Sequence, residues 1–359
     1  MTAADGPLTI LTQSVPSHFG RLLRRLKKPA RQWLGMAPPP RYGGHFAVTR
    51  SLVEGLTRLG VDYNYNPSSI TAVHDTVVVL SGLDALRQAI HLRRTGRISR
   101  LLAGPNLVVL PTDEGGLMTS PHIDICLVNS LWTQTLYERL SPSLVGRTRI
   151  FPSGVDAAWW WDGLRSHQPR RMLFYHKHPP KALYSQCKEL AVRYGFEVDT
   201  IYYGQYKVED YRRILHQTGV LVHWAQSESQ GISMLEAWAA DVPTLVWNPR
   251  TFCWKGCRYD SDSSPYLTEA TGATFDDEKS FQKLLVEGYA ERCRYSPRAW
   301  LLQHLTDAAS AGVLLAVIGA LAATPTQPRS AASNARSDSC LLQGRRPFNS
   351  DFPAGQCPQ

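Results

Sequence analysis

Short runs made wholly of apolar residues, each followed by an amphipathic stretch, recur along most of this chain and limit its fold more than any other feature. TVVVLSG, NLVVLPTD and IDICLVNS read as strands, and LDALRQAIHLRRTG and LWTQTLYERL as helices whose apolar residues return at helical spacing. A strand without a polar face cannot lie with one side in water, so it needs helices on both faces, which is the construction of a parallel, doubly wound sheet. The alternation lapses around FPSGVDAAWWWDGLRSHQPRR and resumes with the strands RMLFYHK, FEVDTIYYG, VLVHWA and PTLVWN. These patterns predict an α/β protein of two Rossmann-like doubly wound domains facing across a cleft, residues 1–160 and 161–310. A length of 359 residues suits two such cores better than one.

From about residue 269 the chain reads as the end of the second domain, with SFQKLLVEGYAERCRY and SPRAWLLQHLTDAASAGVLLAVIGAL as terminal helices. Residues 311–324 are expected as an apolar terminal helix and 325–359, rich in Pro, Ser, Arg, Asn and Gln, as a disordered tail. The uncharged run from Ala308 to Ala323 has 16 residues, short of the about 20 that span a bilayer, so it is read as packed against protein.

The formal net charge of +9 calls for anionic partners, and eight of the cations fall in the first 50 residues against one acid, Asp5. RLLRRLKKPARQWL, residues 21–34, sets Leu22, Leu26, Trp33 and Leu34 among those cations. It suits either peripheral contact with the inner face of a membrane or a solvated helix lying over the core. No nucleic-acid module accompanies the charge, so nucleic acid is not expected as a partner. Seven scattered cysteines, several inside apolar runs, suggest reduced thiols rather than a disulfide framework. Cys253 and Cys257 have a spacing that metal sites use, yet no second Cys/His pair lies near, so an ordinary loop is expected there. MTAADGPLTILTQ lacks the features of an export signal, and the protein is expected in the cytoplasm.

Chemistry concentrates in SESQGISMLEAWAADVPTLVW, residues 227–247. A short loop holding Glu228 and Gly231 opens a helix, so the first amides, near Ser229, Gln230, Gly231 and Ile232, sit at its positive end and can bind phosphate or sugar oxygens. Glu236 is the one charge between Ile232 and Ala240 on an otherwise apolar helix, and a carboxylate so placed needs a partner. Ribose hydroxyls and an internal cation both qualify.

Glu228, Gly231, Glu236, Ala237 and Pro243 together resemble the signature of the family 4 retaining glycosyltransferases (glycosyl transferases group 1), with Ser229 and Gln230 in place of the usual Gly and Phe. The resemblance covers roughly residues 42–320 and implies the GT-B fold, with transfer of a sugar from a nucleotide-diphosphate donor to a hydroxyl acceptor on a glycan, lipid or small molecule. By resemblance Glu228 contacts donor sugar hydroxyls, Glu236 the ribose, and the amides around Gln230 to Ile232 the sugar and diphosphate. Lys177 and Lys181 stand in for the family's Arg and Lys clamp on the leaving diphosphate, one residue closer together. Gly43 and Gly44 resemble its N-terminal diphosphate loop, TIYYG ending at Gly204 its strand-ending glycine, and FPSGVD its interdomain element with Ser153 replacing Asn. Asn129 and Ser130 in NSLWT, with His45, are the acceptor-side candidates, and His122 a further histidine near a loop. By resemblance the cations take the role of a metal, and no cofactor is expected beyond the nucleotide sugar. The alternative is a catalytically silent GT-B scaffold that binds a nucleotide or glycan.

Overall fold

The computed structural model describes residues 7–16, 44–161, 163, 168–177, 179–288, 290 and 294–323. In the first half, strands β1 (Leu8–Leu11), β2 (Tyr63–Tyr65), β3 (Thr76–Ser81), β4 (Arg100–Asn106), β5 (Ile125–Val128) and β6 (Thr148–Ile150) form one sheet in the order β2-β1-β3-β4-β5-β6. Every pairing in it is parallel. Helices α1 (Gly44–Arg58), α2 (Leu83–Arg94) and α3 (Leu131–Leu140) cover it. Alternate strand residues go to opposite cores: Val77, Leu101 and Cys126 lie in one cluster, Val78, Leu102 and Leu127 in the other. That is why these strands read as unbroken apolar runs.

The second half repeats the plan with β7 (Arg171–Lys177), β8 (Glu197–Tyr202), β9 (Val220–Ala225), β10 (Thr244–Trp247) and, after a hairpin of β11 (Thr251–Trp254) and β12 (Cys257–Asp260), β13 (Gly272–Phe275). The parallel order is β13-β10-β9-β7-β8, with helices α4 (Lys181–Arg193), α5 (Val208–Leu215), α6 (Ile232–Ala239) and α7 (Glu278–Val286). Leu173 and Tyr175 pack on one face, Met172 and Phe174 on the other. Two Rossmann-like domains are therefore present, and Val155, Ala157 and Trp160 of the linker already belong to the second core.

Three expectations need correction. NLVVLPTD is not a strand: β4 is the preceding RLLAGPN, whose Gly and Pro disguise it. Glycine is required there, because a Cβ on Gly104 would lie 2.1 Å from the Leu127 carbonyl oxygen of neighbouring β5. The terminal helical stretch is two helices, α8 (Pro297–His304) and α9 (Asp307–Ala323), and α9 does not end the second half. It returns to the first, where Ala311, Leu314 and Ile318 pack with Leu52 and Leu56 of α1. Arg50 holds it there through a two-pronged bond to buried Asp307, at 2.8 and 3.0 Å. Its outgoing backbone runs beside the linker, Val155 N–H donating to the Leu305 carbonyl at 3.0 Å. No helix among the described residues is long and apolar enough to cross a membrane.

The third concerns cysteine. Cys126 and Cys187 are buried free thiols and Cys257 an exposed one, but Cys253 is disulfide-bonded. Spacing alone does not reveal a pair that tertiary structure brings together. The basic segment 21–34, Gly43, the tail 325–359 and the side chain of His45 also lie outside the described residues.

Candidate active site

The carboxyl ends of β7, β8 and β9 face those of β4 and β5 across the cleft. Between them lies a cavity of about 390 Å³, within the range of small-ligand sites, whose walls include Lys177, Gly204, Glu228, Glu236, Asn106 and Asn129. Ala47 and Val48 of α1 close it from the first half. At its centre Lys177 Nζ donates to Glu228 Oε1 at 2.7 Å and sits 4.8 Å from the centre of the Tyr203 ring. Burial pulls the Lys177 pKa down, but the charge and hydrogen bond of Glu228 outweigh it, so the net shift is upward and the ammonium persists. Glu228 is fixed from both halves: its N–H donates to the Asp262 carbonyl at 2.9 Å, and its carbonyl accepts from Trp132 Nε1 at 3.0 Å.

Behind Glu228 stands His223, fully buried in β9, a residue the pattern of VLVHWA masks as one more core position. Its Nε2 is 3.8 Å from Glu228 Oε1 and 3.2 Å from Ser233 Oγ, and its ring stacks on Tyr175 at 5.1 Å. Burial, helped by Lys177 and opposed by Glu228, pushes its pKa down to about 4, so it is a neutral prop rather than a charge. The Tyr175 and Tyr206 hydroxyls bond each other at 2.8 Å, and burial raises the pKa of both. Gly231, at φ +82°, is the left-handed N-cap of α6. The Gly231, Ile232 and Ser233 amides that follow the turn donate to no described group, which leaves the positive end of α6 facing the cavity.

No family model matches the chain, and no curated protein matches it in sequence. Solved structures do match in shape. Anabaena HepE, determined in complex with UDP-glucose, superposes with a TM-score of 0.54 at 10% identity over 87% of this chain and 99% of that one. The lipopolysaccharide outer core galactosyltransferase WaaB, in its apo form, gives 0.54 at 10% identity over 88% and 100%. The chain has the GT-B fold.

Within this GT-B frame the cleft gathers Lys177, Gly204, Glu228, Ser229, Gly231, Ile232 and Glu236 on one side and Asn129 on the other. Glu236 is buried, 3% exposed, and lines the cavity. Gln230 lines it too but has a second role, and Lys181, Ser130, His122 and Gly44 do not line it. Lys181 is exposed at the first position of α4, after Pro180, and lines neither cavity at the cleft. Gln230 turns its amide to the other half: Oε1 accepts from Asn129 Nδ2 at 3.2 Å and from Ser153 N–H at 2.9 Å, while Nε2 donates to the Ser153 carbonyl at 2.6 Å. Its side chain bolts the halves together, while the residue remains part of the cavity wall. Ser130 is buried in the capping box of α3, its Oγ 3.1 Å from Thr133 Oγ1. His122 precedes β5, at the sheet end away from the cleft. Gly44 opens α1, and only the residues after it reach the cavity wall.

A second cavity of about 490 Å³ adjoins the first, sharing Asn106, Asn129, Lys177 and Ser229 with it. The β11–β12 hairpin, expected only as a loop, forms its far wall. Lys255 (φ +49°) and Gly256 (φ +77°) make the tight turn. The hairpin reaches the first half through Arg139–Asp260 at 2.8 Å, Lys255–Asp113 at 2.6 Å and a cluster of Leu110, Leu136 and Phe252. Among the described residues no three His, Cys, Asp or Glu side chains are grouped to hold a metal ion.

Proposed function

We propose that this GT-B chain transfers a sugar from a nucleotide-diphosphate donor to a hydroxyl acceptor with retention of configuration. The observation that carries the reading is the Lys177–Glu228 pair at the open end of α6, inside a cavity that also holds Glu236. Residues 161–310 bind the donor, and residues 1–160 present the acceptor. As the sugar leaves, negative charge grows on the diphosphate, and the Lys177 ammonium together with the α6 amides stabilises it. Glu228 orients the donor sugar by accepting from its hydroxyls, and Glu236 accepts from the ribose. Gly204 and Gly231 let backbone approach the nucleotide. No metal is required for this charge distribution.

The fold likeness to HepE, solved with UDP-glucose, supports a nucleotide sugar as ligand. The position of Lys181 favours one competing reading, a scaffold that binds without turnover, since among the described cavity-lining residues Lys177 is the one cation. A thermal-shift panel of nucleoside diphosphates and their sugars tests binding, because a ligand at a hundred times its Kd adds about 2.7 kcal/mol to stability. Release of nucleoside diphosphate from the stabilising donor then separates enzyme from scaffold. A panel with no stabilising member would end the proposal.

A further inference from the structure

The cavity beside the donor site is graded in polarity. Its polar side chains at the apolar end are already engaged within the protein: Tyr137 Oη donates to the Val108 carbonyl at 2.9 Å, Trp254 Nε1 to Asp113 Oδ2 at 3.2 Å, and Thr133 Oγ1 to the Ser130 carbonyl at 2.7 Å. What remains exposed to a ligand there is the hydrocarbon of Leu107, Val109, Leu136, Phe252 and the indole of Trp254. The groups without a described partner sit at the other end. Asn106 Nδ2 is buried and unbonded, and the Ser227 and Ser229 hydroxyls make no described bond. Asn106 and Ser229 lie beside Lys177, at the junction with the donor cavity.

Resting on the donor reading above, we infer that the acceptor is an alcohol whose hydroxyl is borne on an apolar body, aryl or alkyl, rather than a sugar. A sugar ring at the apolar end would bury hydroxyls against side chains that are hydrocarbon or already engaged, each weakening binding roughly 5- to 150-fold. An apolar body loses nothing there and covers the Trp254 and Phe252 faces. Its hydroxyl, held near Asn106 and Ser229, faces the donor. In the transfer the C1–O bond to the diphosphate breaks as the bond from C1 to the acceptor oxygen forms. The acceptor proton passes to the departing phosphate oxygen, so no other reactant is needed.

The test is calorimetric binding to the full chain, without donor, of 4-methylumbelliferone as aryl alcohol, 1-octanol as alkyl alcohol and methyl glucoside as sugar. At least one alcohol is expected to bind tenfold or more tightly than the glucoside, and which one does so distinguishes the two bodies. Val109→Trp fills the cavity from a position already 42% exposed. It is expected to weaken alcohol binding at least tenfold while nucleoside diphosphate binding stays within twofold, and Leu107→Trp is the second plug should the first not fold. Saturation by the glucoside alone, or alcohol binding indifferent to both plugs, overturns the inference. Nucleoside diphosphate binding with no alcohol bound overturns it and leaves the donor reading standing; alcohol binding with no nucleotide bound overturns the donor reading and with it the acceptor role, leaving a binding site for apolar alcohols.

Discussion

Substituting the two members of the central ion pair should move nucleotide binding in opposite directions. Before a donor enters, the Lys177 ammonium is engaged by Glu228 at 2.7 Å, and both side chains are largely shielded, 27% and 13% exposed. A diphosphate must share that cation while tolerating the carboxylate behind it. Lys177→Met removes a charge-assisted hydrogen bond worth about 1.5–3 kcal/mol, so nucleoside diphosphate affinity should fall about 10- to 150-fold. Glu228→Gln keeps the shape and removes the repulsion. At a separation of roughly 6 Å and an effective dielectric of about 20 that repulsion is about 3 kcal/mol before salt screening, leaving about 1 kcal/mol, or roughly fivefold tighter binding, at physiological ionic strength. Turnover should fall in both variants, in Glu228→Gln because the sugar loses its anchor. Titration calorimetry with the nucleoside diphosphate alone, at fixed salt and after a check of thermal unfolding, reads the two affinities. If Glu228→Gln weakens binding as Lys177→Met does, the pair does not border the phosphate subsite and the mechanism above is wrong.

Other consequences concern stability. A Cβ on Gly55 would meet the Asp307 carbonyl oxygen at 2.2 Å, whereas one on Gly312 meets nothing within 4 Å. Urea unfolding should therefore show Gly55→Ala destabilised by about 1–3 kcal/mol and Gly312→Ala stabilised by up to about 1 kcal/mol, and equal effects would refute the described α1–α9 packing. Asp307→Ala leaves Arg50 without its buried carboxylate and should cost about 3 kcal/mol in the same assay; a loss below about 1 kcal/mol would show that the ion pair does not hold α9. Since the folded His223 pKa is about 4, below its ordinary 6.5, the unfolded chain binds the extra proton first as pH falls. Wild-type stability should thus decline by roughly 2–3 kcal/mol between pH 6.5 and 4.5 relative to His223→Phe, and parallel pH curves for the two proteins would refute a buried neutral imidazole.

The strand-loop-helix around Glu228 was legible because its signals are local: an apolar strand, a glycine with positive φ, and a helix carrying one carboxylate. The second role of Gln230 was hidden for an equally plain reason. It sits in the same loop as Glu228, but its amide points to Ser153, 77 positions away in sequence, and no local pattern encodes that direction. Spacing also could not show that Lys181 begins α4 after Pro180 and lies off the cavity wall. The β11–β12 hairpin hid behind two cysteines that suggested a loop, though Lys255-Gly256 between alternating residues was the available turn signal.

Period and polarity act through neighbours a few residues apart, so the chain's own text sufficed for two doubly wound sheets and for a carboxylate-bearing turn at a helix start. Direction in space arises from contacts between distant segments. Only the folded molecule could decide that the last described helix returns to the first core, that His223 stands unprotonated behind Glu228, and that a hairpin from the second half walls an apolar cleft beside Lys177. Each of those outcomes depends on desolvation and close packing between residues far apart in sequence, for which no short-range pattern exists.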